Sequence, residues 1–377
     1  VDLNVPLDET LSITDDMRIR ASLPTISYAM DHGAKVILLS HLGRPKGKVV
    51  PEMSLKPVSK RLSELLGKEV KMAKDCVGEE VRSEIGRMQG GEVLLLENCR
   101  FHKDDEENDP AFSRALADLA DIYVNDAFGA AHRAHASTVG VTHFVPISAA
   151  GFLMQKEIRY LGKAVAHPER PFITILGGAK VSDKIGVIRN LMGKVDALLI
   201  GGAMAYTFEK AQGLSVGSSL VEEDKLDLAK ELLQEASSRK LRLLMPLDHV
   251  VAESAEPGAK TQTVKTGSIP AGWKGLDIGR ETIEAYSREI RSSKTILWNG
   301  PLGVFEVEPF SQGTMAIARA IASSSATSIV GGGDSVAALS KAEVADKITH
   351  ISTGGGASLE FLEGIELPGI AALTDRK

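Results

Sequence analysis

The chain of 377 residues is short of cysteine, of long apolar runs and of positive charge. Its two cysteines, Cys76 and Cys99, build neither a disulfide framework nor a metal site of four ligands, and they fit a reducing compartment. Apolar runs reach only about 4 to 6 residues, the length of buried strands and far below the roughly 18 of a membrane span. A formal net charge of −6 argues against non-specific nucleic-acid binding. No internal repeat and no low-complexity tract is visible. Two nucleotide signatures are also missing. No Gly-x-x-x-x-Gly-Lys-Ser/Thr loop occurs, and no dinucleotide glycine fingerprint fits. The second absence disfavours a nicotinamide-dependent dehydrogenase.

What is present is ordinary in bulk and regular in pattern. Hydrophobic residues make up 43% and charged residues 25%, as in a globular chain long enough for two or three domains. Short apolar runs alternate with glycine or polar loops and helix-like segments. Residues 34–39, 92–96 and 121–124 read as strands in the first half. Residues 17–32, 54–66 and 110–120 read as amphipathic helices. In the second half, 172–176, 197–200, 241–245, 295–298, 328–330 and 349–351 read as strands, most of them followed by glycines and a helix. Such alternation predicts an α/β protein with parallel sheets covered by helices. We expect two Rossmann-like three-layer domains, residues 1–150 and 168–358. A hinge helix at 151–167, closed off by Pro168 and Pro171, would join them. The segment Asp104–Asp109 reads as a solvated acidic loop.

The two halves carry different anion-binding equipment. After first-half strands come Ser40-His41-Leu42-Gly43-Arg44-Pro45, Glu97-Asn98-Cys99-Arg100-Phe101 and Ala131-His132-Arg133-Ala134-His135. Residues 1–150 hold 18 Lys+Arg against 23 Asp+Glu, a net of −5, so these basic residues are exceptions in an acidic region. In the second half, glycine fills the corresponding places: Gly177-Gly178-Ala179-Lys180, Gly201-Gly202, Gly331-Gly332-Gly333-Asp334 and Gly354-Gly355-Gly356. Charged side chains suit a small, highly charged anion. Bare amides at helix starts suit nucleotide phosphates. In parallel sheets, ligands bind beyond the carboxyl ends of the strands, where all these loops fall.

Each feature has a plainer reading beside the functional one. Lys180 and Lys184 are four apart, so on one helix they share a face near its start, where a nearby anion offsets their repulsion. The alternative is a tight turn with two solvated lysines. Asp334 is a good helix N-cap, yet beside a phosphate it becomes a Mg²⁺ contact. Trp298-Asn299-Gly300-Pro301-Leu302-Gly303-Val304-Phe305-Glu306 walls a nucleobase pocket or is a structural turn, with Glu306 placed for a ribose hydroxyl. Arg18, His41, Arg44, Arg100 and Arg133 converge on one anion, or sit singly in surface ion pairs. His132 and His135 are candidates for orienting Arg133.

Taken in order, the segments Val1-Asp2-Leu3-Asn4-Val5-Pro6, SHLGRP, LLENCRF, NDAFGAAHRAH, LGGAKVSDKI, GGAMAYTF, WNGPLGVFE, GGGDS and STGGGAS closely resemble the phosphoglycerate kinase family over essentially the whole chain. The resemblance implies an N-terminal domain for 3-phosphoglycerate or 1,3-bisphosphoglycerate and a C-terminal domain for Mg²⁺ with ADP or ATP. It implies closure of the two, with residues 359–377 returning to the N-terminal domain. It assigns phosphoglycerate to Asp2, Asn4, Arg18, His41, Arg44, Arg100 and Arg133, with Arg18 reaching the phosphoryl group in flight. It gives Lys180 the guidance of that group and Lys184 the nucleotide phosphates. Gly178, Ala179, Gly201, Gly202, Gly275, Leu276, Pro301 and Glu306 would line the nucleoside pocket. Gly332, Gly333, Asp334 and Ser335 would meet phosphates, with Asp334 on the metal. Gly354, Gly355 and Gly356 would cap the transferring phosphate. Ser335 stands where many members have threonine.

The expected reaction is reversible phosphoryl transfer from 1,3-bisphosphoglycerate to Mg-ADP, in glycolysis and gluconeogenesis. The expected protein is a cytoplasmic monomer with no nucleic-acid or membrane partner. The family's first strand precedes the opening motif, so residues before Val1, a targeting peptide among them, are allowed for. A two-domain protein that binds phosphorylated metabolites without catalysis is the alternative from another class.

Overall fold

A computed structural model describes residues 1–374. The described residues form two compact units, residues 1–158 together with 366–374, and Arg159–Ile365.

In the first unit β1 (Val36–Leu38), β2 (Val70–Met72) and β3 (Val93–Leu95) form a parallel sheet in the order β1-β3-β2. Strands β4 (Ile122–Asn125) and β5 (Ile147–Ala150) form a parallel pair. β3 is buried along its length, as a central strand between helix layers must be. The helix Met17–Asp31 buries Ile19, Ile26 and Met30 on the side that packs with Val36, Leu38, Val58 and Leu62. The helix expected from Ser54 begins at Lys56 instead. Ser54 Oγ donates to Glu97 Oε2 at 2.7 Å, which holds that residue outside the helix. Asp109 accepts from Phe112 N at 2.8 Å and starts the helix Pro110–Ala117.

In the second unit the strands run β6 (Phe172–Leu176), β7 (Ala197–Ile200), β8 (Ser215–Val216), β9 (Arg242–Leu244), β10 (Asp248–Ala252), β11 (Gln262–Lys265), β12 (Ser268–Ile269), β13 (Lys274–Ile278), β14 (Thr295–Asn299), β15 (Thr327–Gly331) and β16 (His350–Ile351). Six make one parallel sheet in the order β16-β15-β14-β6-β7-β9. Every residue of β6, β7 and β14 is buried. Trp298 and Tyr286 anchor the core beside this sheet.

The α/β reading with parallel sheets stands, and finer expectations need adjustment. The second unit is not built from parallel strands alone, because β11-β10-β13 form an antiparallel sheet. Its strands lack apolar runs: β11 is Gln-Thr-Val-Lys and mostly exposed, and β10 opens on Asp248 and His249. The segment 104–109 is not a solvated loop. Lys103–Glu106 is a short helix, and Asp105 is buried. Asp105 accepts from Ser137 N at 3.0 Å and from Cys99 Sγ at 3.4 Å, joining three segments. The helix read at 151–167 spans Phe152–Ala166, and Leu359–Ile365 belong to the second unit.

Candidate active site

In the first unit the basic residues arrive from separate elements. Arg18 lies on the helix Met17–Asp31, His41 follows β1, Arg100 follows β3, and Arg133 follows β4 and a short turn. The opening segment lies between them. Arg18 Nη1 donates to Asp2 Oδ1 at 3.1 Å and to the Asn4 carbonyl at 3.0 Å. Gly43 N donates to Asn4 Oδ1 at 2.9 Å, and Arg100 Nη1 donates to the Gly43 carbonyl at 3.1 Å. Asp2, Asn4, Arg18 and Arg100 are therefore linked through one loop.

The electrostatics agree. Burial pulls His41 down to about 4, with Asp2 opposing and Arg100 and Arg18 adding to the shift. Burial also lowers Arg100, and Arg133 pushes it the same way. Cations this close repel unless an anion joins them. Arg100 Nε is buried with no hydrogen bond, and Glu106 lies 3.7 Å away. A buried guanidinium nitrogen that makes no hydrogen bond is costly even with a carboxylate at ion-pair distance, and a bound phosphate or carboxylate would supply a closer acceptor.

Arg133 Nε donates to His132 Nε2 at 3.2 Å, so His132 orients Arg133. His135 sits 3.8 Å from Asp105 instead. Arg44 is exposed on the loop that carries Gly43, and no described contact ties it to the others. Asn98 stands in the Glu97-Asn98-Cys99-Arg100 segment and has a role that the sequence does not reveal. It is buried, donates to the Leu42 and Met53 carbonyls at 2.7 and 2.9 Å, and accepts from Arg100 N at 3.1 Å. It locks the Arg44 loop to the Arg100 loop, and an amide beside a strand end was its only sequence signal.

In the second unit the loops after β6, β7 and β14 are stitched at the sheet's carboxyl edge. Gly178 N donates to the Pro301 carbonyl at 3.0 Å, Gly202 N to the Leu302 carbonyl at 3.1 Å, and Met204 N to the Gly178 carbonyl at 3.0 Å. A Cβ on Gly177 would lie 2.1 Å from the Pro301 oxygen, so only glycine fits that crossing. Val304 N donates to the Leu276 carbonyl at 2.8 Å, which brings β13 to the same rim. Gly275 packs on the Tyr206 hydroxyl, and its N–H donates to Ser219 Oγ at 2.8 Å. Gly178, Gly201, Gly202, Gly275, Leu276 and Pro301 thus share one neighbourhood. Ala179 and Glu306 are exposed, Glu306 at the far end of the Pro301 loop.

Lys184 is buried, and its ammonium donates to Asn299 Oδ1. Burial lowers its pKa, opposed by Asp183 and Asp334. The expected shared helix face with Lys180 is corrected. Gly178 at φ +113 turns the chain, and the helix begins only at Ile185. Lys180 stays exposed outside it. Asn299 Nδ2 donates to the Gly331 carbonyl at 2.9 Å, and Gly300 N donates to Ser335 Oγ at 2.7 Å. The Gly332–Ser335 loop is therefore fixed against β14.

Asp334 does not cap its helix. Gly332 is the N-cap, and Asp334 lies exposed in the first turn of Gly333–Lys341 without a capping bond. A carboxylate left open there, within electrostatic reach of Lys184, fits an oxygen ligand for Mg²⁺. Gly355, at φ +52, is the N-cap of Gly356–Glu363, and Gly354 N donates to Ser352 Oγ at 3.2 Å. The first amides of such a helix have no intrahelical acceptor and attract anions.

The chain is similar to known proteins over nearly its whole length. The model of the family described as phosphoglycerate kinase matches residues 1–365. The phosphoglycerate kinase of Moorella thermoacetica is 61% identical over 376 residues, covering 100% of this chain and 95% of that protein. The cytosolic phosphoglycerate kinase of Triticum aestivum is 59% identical over 377 residues, covering 99% and 94%. The solved structure of phosphoglycerate kinase from Coxiella burnetii superimposes with a TM-score of 0.89 at 43% identity, covering 98% of this chain and 94% of that one. That from Pyrococcus horikoshii OT3 gives 0.85 at 36% identity, covering 99% and 94%.

Proposed function

This chain belongs to the phosphoglycerate kinase family, and we propose that its first unit holds the phosphoglycerate and its second the nucleotide. The enzyme is a glycolytic phosphotransferase with a carboxyl group as acceptor. The reaction is ADP + 1,3-bisphosphoglycerate ⇌ ATP + 3-phosphoglycerate.

The observation that carries the substrate assignment is the set of Arg18, Arg100 and Arg133 around a neutral His41, with Arg100 Nε buried and making no hydrogen bond. It suits a small molecule bearing both phosphate and carboxylate. Asp2, Asn4 and Arg44 complete the proposed contacts. The glycine loops with Lys184 suit a chain of phosphates. Gly178, Ala179, Gly201, Gly202, Gly275, Leu276, Pro301 and Glu306 form the proposed nucleoside pocket, and Gly332 and Gly333 are assigned to the phosphates, with the buried Ser335 holding the Gly300 loop beside them.

The residues' work is alignment and charge neutralisation. In the direction of ATP use, the nucleophile is a carboxylate already ionised at pH 7, so no side chain need remove a proton. His41, titrating near 4, is neutral there and serves as a hydrogen-bonding partner. Arg18 is assigned to the phosphoryl group in transit, Lys180 to its guidance, and Gly354, Gly355 and Gly356 to its oxygens through helix amides. Asp334 would hold Mg²⁺, which when bound neutralises phosphate charge. Closure of the two domains is the proposed means of excluding water during transfer.

The proposed setting is a cytoplasmic monomer. Relatives include bacterial enzymes and one named as cytosolic from a plant, and no helix among the described residues is long and apolar enough to cross a membrane.

The test mixes the protein with Mg-ATP and 3-phosphoglycerate and couples acyl phosphate formation to NADH loss through glyceraldehyde-phosphate dehydrogenase. Turnover that vanishes without 3-phosphoglycerate is the expected result. Tight nucleotide and phosphoglycerate binding without turnover would favour the non-catalytic alternative.

A further inference from the structure

The loops after β2 and β3 bring together three side chains that the phosphoryl-transfer site does not use. Asp75 and Cys76 follow β2, and His102 follows the turn Cys99–Phe101 after β3. One ligand atom from each lies within 4.8 Å of the others. His102 Nε2 is 2.6 Å from Asp75 Oδ1. The Cys76 thiol is fully buried behind this pair, while the His102 side chain is 29% and the Asp75 side chain 50% exposed. The cluster is thus closed on the sulfur side and open to water on the other.

We propose that Asp75, Cys76 and His102 form a binding site for a thiophilic divalent cation of the zinc type, separate from the magnesium contact at Asp334.

Donor chemistry selects the cation. One sulfur, one imidazole nitrogen and one carboxylate oxygen match Zn²⁺ or Co²⁺, whereas Mg²⁺ and Ca²⁺ demand oxygen shells. A thiolate and a carboxylate together balance the double charge, so the loaded site is neutral. Bonds of about 2.0 to 2.3 Å place tetrahedral ligand atoms roughly 3.3 to 3.8 Å apart. The three atoms lie within 4.8 Å of one another, so reaching that spacing asks for side-chain adjustment, chiefly the opening of the 2.6 Å His102–Asp75 contact, and water can enter from the exposed side as the fourth ligand.

The site is also held in place. The His102 ring packs on Phe112 with centroids 5.1 Å apart, and His102 N donates to the Cys99 carbonyl at 3.1 Å. Cys76 N donates to Asp75 Oδ1 at 2.6 Å. Cys99, the other cysteine, is excluded as a ligand because its thiol donates to Asp105 Oδ2 at 3.4 Å.

Metal-free, burial and the charge of Asp75 keep the Cys76 thiol protonated. A bound cation reverses that preference. On binding, the S–H bond breaks, its proton leaves to solvent, and the sulfur–metal bond forms. His102 and Asp75 give up their mutual hydrogen bond to ligate through Nε2 and Oδ1, and the imidazole proton moves to Nδ1.

The experiment titrates Co²⁺, then Zn²⁺, into chelator-treated full-length chain without nucleotide. We expect one equivalent of Co²⁺ to give a thiolate-to-cobalt charge-transfer band with d–d bands of tetrahedral intensity. Zn²⁺ should bleach both, and millimolar Mg²⁺ should leave them unchanged. Cys76→Ser should abolish the charge-transfer band, and Cys99→Ser should keep it. His102→Gln changes a partly exposed side chain and so tests the site without opening the core. It should weaken Co²⁺ binding about tenfold or more with an unchanged circular dichroism spectrum. Absence of the band in the unmodified chain, its survival in Cys76→Ser, or unaltered affinity in folded His102→Gln would each overturn the assignment.

Discussion

Lys184 donates its ammonium proton to Asn299 Oδ1, while Asn299 Nδ2 donates to the Gly331 carbonyl at 2.9 Å. One amide thus fixes the buried cation and the glycine loop after β15. Lys184→Ala is expected to weaken ADP and ATP binding about tenfold or more, as charge-assisted contacts to phosphate are lost. Asn299→Ala keeps the cation but leaves it buried without its acceptor, at about 1 to 3 kcal/mol. It should weaken nucleotide binding in the same direction and lower the unfolding midpoint. Calorimetric titration with ADP and ATP reads both; unchanged affinity in the lysine variant rules out its phosphate role.

Arg18 is held by Asp2 Oδ1 and the Asn4 carbonyl through one nitrogen. That anchoring fits an arginine positioned for transferring charge. Arg18→Ala is expected to lower kcat by about 10³-fold or more, by analogy with arginines that stabilise phosphoryl-transfer transition states. A kcat loss under tenfold in the coupled assay would remove the assignment.

Gly202 illustrates a glycine set by close approach. Its φ is +68, and a Cβ there would lie 2.6 Å from both the N and the O of Gly178. Both are backbone atoms, so relief requires the loops after β6 and β7 to separate. Gly202→Ala should raise the KM for nucleotide by about tenfold or more while leaving that for 3-phosphoglycerate within about twofold, since the clash is confined to the second unit. Equal changes in the two KM values would show that the damage is global.

The parallel strands buried on both faces are legible because that burial writes a continuous apolar run: 172–176 and 197–200 match their strands residue for residue, whereas Val70–Met72 and Ile147–Ala150, interrupted by a lysine and a serine, carry no such run and are not legible. The antiparallel strands are not legible either, because Gln262–Lys265 sits half in solvent and carries no such run. Site residues with unusual chemistry for their surroundings, such as Arg100 in an acidic region or paired glycines after a strand, stood out. Asn98 and Asn299 did not. Their work is to hold loops distant in sequence, and an asparagine beside a glycine or cysteine reads equally well as a turn. The burial of Asp105 is hidden in the sequence for a related reason. Its neighbours Asp104 and Glu107 are solvated, and only the fold turns one acid of the run inward.

His41 gives the acid limb of stability a specific source. Burial holds it near 4, against 6.5 for an exposed histidine. Between those values the unfolded chain takes up a proton that the folded chain refuses. Stability therefore rises with pH across this window. The contribution is complete above about 6.5 and is lost progressively as pH falls towards 4. The full change is at most about 3.5 kcal/mol, from roughly 1.4 kcal/mol for each pH unit of separation. His41→Gln retains a hydrogen-bonding side chain but no proton to gain. Urea unfolding of both chains from pH 4 to 7.5 should show their difference narrowing or reversing as acidity increases. Curves that stay parallel would mean that His41 takes up its proton equally in the folded and unfolded chains, and burial then does not set its ionisation.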